Sequence, residues 1–180
     1  MLFEILSIIY FLLPAGLANM APGLVKKINF LNYPLDFKKK VYGKRLFGNH
    51  KTWRGLISGI IMAILIVYIQ TLLYQKVYFQ NLSLISYSNL NFILLGFLFG
   101  AGALIGDCVE SFFKRRLGKK DGESLIFFDQ TDWIIGSFLF VSLLVKLPIS
   151  LLLWEIIVGF LLHVIIRHLG FWLKIDKEKW

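Results

Sequence analysis

The chain has 180 residues, 57% of them hydrophobic and 17% charged, with a mean hydropathy of +0.69 and a formal net charge of +9. A water-soluble domain carries charge at about a quarter of its positions, so a soluble globular fold is excluded and a single membrane domain over 1–180 is expected. The basic surplus points to anionic headgroups or phosphate substrates, not to nucleic acid, and Cys108, the lone cysteine, permits no intrachain disulfide.

Five hydrophobic segments follow in chain order, at Leu2–Leu17, Leu56–Tyr74, Phe92–Phe113, Trp133–Val145 and Ile149–Leu173. Crossing a hydrocarbon core of ~30 Å takes roughly 20 helical residues, and the expectation is an all-α integral membrane protein with five transmembrane helices. The first segment lacks a positive start, its basic cluster comes after the apolar run, and it reads as an uncleaved span. Span one is expected to break between Pro14 and Pro22, around Asn19. The fourth segment is short, and Pro148 marks a tight turn into the fifth.

Basic residues set the orientation. Nine lie between the first two segments, five at and after the end of the third, and four in the last helix and tail, leaving only Lys76 and Lys146 elsewhere. The positive-inside rule makes the loops at about 20–55 and 114–132 and the C-terminus cytoplasmic, with the N-terminus outside. A multi-pass cell-membrane protein with its site on the cytoplasmic face is therefore expected.

Chemistry concentrates in those two loops. At the end of the third segment, Asp107, Ser111, Lys114 and Arg115 fall at i, i+4, i+7 and i+8 of a helix and so share a face. Asp107 then lies ~10 Å below the Lys-Arg collar, a depth at which a carboxylate is costly without a purpose. Asp129 and Asp132 share another face where the fourth segment begins. Asp107, Asp129 and Asp132 together offer oxygen ligands for a hard cation, and the neighbouring cations suit phosphate oxygens. Glu110 is expected to point away as a surface charge, and Cys108 to be packing. The glycines at 96, 100, 102 and 106 have the small-xxx-small spacing of close helix packing.

The first loop holds a second constellation, Gly43-Lys44-Arg45-Leu46-Phe47-Gly48-Asn49-His50-Lys51-Thr52-Trp53-Arg54-Gly55. Its glycines permit sharp turns, and cations alternate with hydrogen-bonding groups, without P-loop spacing. His163 and His168 have no carboxylate or cysteine at ligand spacing and read as packing or interface residues.

These features resemble the CDP-archaeol synthase family, relatives of the CDP-diacylglycerol synthases. The resemblance is carried by Pro14 to Pro22, Pro34-Leu35-Asp36, Gly48 to Gly55 and the Gly-Asp-x-x-x-Ser-x-x-Lys-Arg-Arg run from Gly106 that is followed by Asp129 and Asp132. It implies that CTP and an isoprenoid ether-linked glycerol phosphate, unsaturated archaetidic acid, give CDP-archaeol and pyrophosphate, with Mg²⁺ as cofactor. In that reading Asp107, Asp129 and Asp132 bind metal, and Ser111, Lys114, Arg115 and Arg116 hold phosphates. Lys44, Arg45, His50, Lys51, Thr52 and Arg54 close over substrate, joined by Asn19 and Lys120. The alternatives are a bacterial-type CDP-diacylglycerol synthase, a small cation or proton transporter using Asp107, and a membrane adaptor.

Overall fold

The computed structural model describes residues 2–119, 123, 125 and 127–172. Six helices carry the architecture: α1 (Leu2–Leu24), α2 (Trp53–Leu73), α3 (Val77–Leu82), α4 (Phe92–Arg116), α5 (Phe128–Val141) and α6 (Ile149–Trp172). The loop between α1 and α2 adds a hairpin of two-residue strands, β1 (Lys40–Val41) and β2 (Lys44–Arg45). Among the described residues, α1, α2, α4 and α6 are long and apolar enough to cross a membrane. The expected fourth span differs. Helix α5 has 14 residues, ~21 Å of helix, because its turn opens at Ser142, ahead of Pro148.

Helix α1 also departs from expectation. It runs unbroken through Pro14 and Pro22 to Leu24, so Asn19 sits within a helix rather than at a break. Proline inside a helix removes one backbone bond, but neighbouring helices make that tolerable in a membrane bundle, and Pro14 is buried against them.

Helix α4 is the axis of the bundle, and its glycines explain why. Gly96 and Gly100 lie against the α2 backbone at Ile64 and Ile60. Gly102 and Gly106 lie against α5, where added β-carbons would meet the carbonyl oxygens of Gly136 and Asp132 at 2.6 and 2.2 Å. The two pairs are offset by six residues, roughly 120° around the helix, so one helix presents two close-approach faces. Both α2 and α5 run antiparallel to α4, and this brings the end of α4 beside the starts of α2 and α5. Hydrophobic burial is centred on Phe11, Ala15, Ala63, Leu95, Phe99 and Ile134. Near the opposite end Gln70 is also buried, donating to the Tyr10 carbonyl at 2.6 Å and accepting from Tyr87 Oη at 3.1 Å.

Candidate active site

The α4–α5 seam determines where the acids meet. With Gly106 against the Asp132 backbone, the carboxylates of Asp107, Glu110 and Asp132 each offer an oxygen within 4.8 Å of the others. Such a donor set of three carboxylates fits a hard divalent cation and can hold one. Without a cation their mutual repulsion would be uncompensated, except by the lysines at the rim. Lys51 reaches Asp107 Oδ2 at 2.5 Å, and Lys114 reaches Glu110 Oε1 at 2.7 Å and Asp129 Oδ1 at 2.8 Å.

One sequence expectation changes here. Glu110 is not a surface charge: it is 6% exposed and belongs to the carboxylate cluster. Its spacing held the signal, since it lies three residues after Asp107 and four before Lys114, both helix-face neighbours. Asp129 adjoins this group directly, its carboxyl hydrogen-bonded to that of Glu110, and accepts the Leu125 amide at 2.9 Å and the Lys114 ammonium. Lys114 bridges the same two carboxylates.

Two cavities flank the Lys51–Asp107 pair. The larger, about 330 Å³, is lined by Ser111, Lys114, Arg115, Glu110, Asp129 and His163 as well as the pair itself. The smaller, about 180 Å³, is more apolar, with Asn19, Thr52, Pro22, Leu56 and Leu104 around the same pair. His50 lines both. His163, expected to be a packing or interface residue, lines the larger cavity from α6. Nothing near it in sequence could signal this, because the packing of α6 alone puts it there.

The basic loop is shaped by Asp36, whose side chain is fully buried. It accepts from Arg45 Nη2 at 2.6 Å, Arg45 Nε at 3.0 Å, and the amides of Lys38, Phe47 and Gly48 at 2.9, 3.2 and 3.4 Å. Burial works against the charged carboxylate, but these bonds and the Arg45 charge outweigh it and hold the group below its ordinary range. Tyr42 and Gly43, both at positive φ, make the two-residue turn that this hairpin requires.

Several expected phosphate ligands are used in this scaffold. Arg45 is bound to Asp36, Asn49 Oδ1 and the Gly48 carbonyl. Arg116 donates to the carbonyls of Val41 and Arg45 and lies over the Phe112 ring at 4.5 Å. Lys44 donates to the Arg116 carbonyl at 3.1 Å, and Arg54 donates to the Ile28 carbonyl. None of these four lines either cavity. Thr52 does, while also capping α2 through the Gly55 amide at 3.2 Å. Helix α4 closes with Gly118 at φ +79°, its amide on Arg115 and the Lys119 amide on Lys114, the six-to-one cap that suits glycine. Lys120 lies outside the described residues.

A family model of CarS-like CDP-archaeol synthases matches residues 1–180. The CDP-archaeol synthase of Methanoregula boonei is 36% identical over 156 residues, 82% of this chain and 89% of that protein. That of Pyrococcus furiosus is 32% identical over 177 residues, 98% of both chains. A solved structure of an intramembrane enzyme for archaeal membrane lipid biosynthesis superposes with a TM-score of 0.72 at 25% identity, covering 88% of this chain and 91% of that one.

Proposed function

The chain belongs to the CDP-archaeol synthase family, and we propose that the cleft between α4, α5 and the 44–52 loop is where it joins a nucleotide to a lipid. It is a CTP-dependent cytidylyltransferase, a membrane enzyme of lipid biosynthesis. The observation that carries the site is the three-carboxylate cluster, flanked by Lys51 and Lys114.

The reaction brings two polyanions together. An oxygen of the lipid phosphate bonds to the α-phosphorus of CTP. The bond from that phosphorus to the bridging oxygen breaks, and pyrophosphate leaves with the electron pair. A phosphate monoester is largely ionised at neutral pH, its second pKa being about 6, so no strong general base is required. The barrier is mainly electrostatic, and positioning with fixed cations lowers it.

Asp107, Glu110 and Asp132 would hold Mg²⁺, which when bound neutralises phosphate charge. Asp129 acts through Lys114, fixing its ammonium against the cluster and into the larger cavity. Lys114, Arg115 and Ser111 bind phosphate oxygens there, and His50 and Lys51 serve both cavities. Lys51, paired with Asp107 here, would exchange that carboxylate for a phosphate oxygen, leaving Asp107 free to hold the cation. Asn19 and Thr52 contact the lipid headgroup from the smaller, more apolar cavity. Arg45, Arg116, Lys44 and Arg54 shape the loop and do not touch substrate.

In this proposal the chain is one membrane domain with α5 as a short fifth crossing. The N-terminus is outside, and the cleft opens to the cytoplasmic side of the cell membrane. The lipid is unsaturated archaetidic acid. Incorporation of radiolabelled CTP into lipid by purified protein, with ether-linked and ester-linked phosphates offered side by side, tests it. Preferred use of the unsaturated ether lipid in Mg²⁺ is expected. Equal or better use of the ester lipid would overturn the substrate, and turnover undiminished by a chelator would overturn the metal.

A further inference from the structure

The stretch between α1 and the hairpin is absorbed by neither cavity. Ile28, Phe30, Tyr33, Phe37 and Tyr42 are all exposed, Phe30 at 74% and Tyr42 at 92%. Interleaved with them, Lys26, Lys27, Lys38, Lys39 and Lys40 are exposed and form no ion pair among the described residues. The stretch is not loose. The Trp53 amide donates to Tyr33 and the Arg54 amide to Leu31, both at 3.0 Å, and the Leu35 amide donates to Lys51 at 2.8 Å. The Phe37 and Trp53 rings lie 6.0 Å apart. Aromatic and apolar side chains are thus held out in the open at the end of two membrane-spanning helices.

Contiguous exposed apolar groups mark a contact surface, and charge decides which contact. From 20 to 54 the only acidic residue is Asp36, and its carboxylate is buried on Arg45. A second copy of the face would set lysine against lysine, which like-charge repulsion opposes. Aromatic rings prefer the headgroup level of a bilayer, and lysines beside it attract anionic lipid. We propose that residues 26–42 form a docking platform for anionic lipid headgroups, lying on the bilayer surface next to the cleft.

The test uses full-length protein bearing Asn29→Cys, labelled with an environment-sensitive fluorophore. Labelled wild type serves as the control, since Cys108 is buried. The protein is reconstituted in vesicles of phosphatidylcholine, with or without an equal part of phosphatidylglycerol. The expected result is a blue-shifted emission, quenched by headgroup spin-labelled lipid, in the anionic vesicles and reversed by salt. Changing Lys38, Lys39 and Lys40 to Gln should weaken the anionic response by roughly fivefold per lysine, with no change in thermal melting. Aqueous emission in both vesicles overturns the proposal. So does a shift indifferent to phosphatidylglycerol and to the lysine changes, or one that follows protein density instead, as a second copy would require. No turnover is measured, so the outcome is independent of the proposed reaction.

Discussion

The acidic and basic sides of the cleft are held in place by different forces. On the acidic side, Asp107, Glu110 and Asp132 meet because two helix backbones touch, Gly102 and Gly106 of α4 against Asp132 and Gly136 of α5. No side chain has to choose a conformation for that contact to form. On the basic side, His50, Lys51 and Thr52 ride on a loop whose shape depends on charged side chains, above all Asp36 and Arg45. The seam offers rigidity, as a cation-holding group needs, because the packed backbones leave no room even for a β-carbon at Gly102, Gly106 or Gly136. The loop offers adjustability, as a substrate-binding edge needs. Ion pairs can be exchanged, and in the proposed reaction Lys51 would trade Asp107 for phosphate.

Four changes would sharpen or break that contrast. Asp107→Asn should have the largest effect, lowering CTP incorporation by roughly a hundredfold to a thousandfold, the scale of losing one preorganised electrostatic partner. Melting in detergent should hardly move, so near wild-type turnover in Mg²⁺ would remove Asp107 from the site. Gly136→Ala comes next. Its β-carbon would sit 2.2 Å from the Gly102 carbonyl oxygen, so the seam must part, and a misplacement of ~1 Å costs about a hundredfold in rate. Gly23→Ala is the matched control, since nothing lies within 4 Å of its added carbon. An unaffected Gly136→Ala enzyme would show that the acids do not depend on the seam.

Asp36→Asn tests the loop. Losing charge-assisted bonds should cost about 2 kcal/mol of stability and raise the KM for CTP about tenfold, with kcat less changed. The pH dependence has a definite sign. The folded carboxyl is held below its ordinary value of 3.8, so its contribution is complete above that value. It is lost as pH falls through the depressed one. The gap in melting temperature between wild type and Asp36→Asn should therefore be constant near neutrality and close only in strong acid. A gap that closes near pH 6 would point to a different group. Lys119→Gln should do least. Its pairing with Glu123 spans 3.8 Å between two exposed side chains, worth at most about 1 kcal/mol, and activity should be unchanged.

Much of this was legible before any coordinates. Apolar runs announced four of the helices that can cross a membrane, and the helical spacing of Asp107, Ser111, Lys114 and Arg115 put them on one face, where they line one cavity. Glu110 was legible too, at i+4 before Lys114, once the face was allowed to widen. The fate of the arginines was not. Arg45, Arg54 and Arg116 look alike in sequence to the cavity-lining Lys114. Which carbonyl or carboxylate each one meets depends on loop closure over 9, 26 and 75 residues.

The chain's own pattern determined the membrane setting, the clustering of charge at one end and the chemical class of the site. Hydropathy and helical period are local properties, summed over neighbours a few residues apart. The tertiary structure alone decided that Asp132 completes the cluster with Glu110, that His163 lines the larger cavity from α6, and that a buried aspartate at 36 sets the loop. Each of these depends on where distant backbones cross, and close contact between glycine faces settles that in three dimensions.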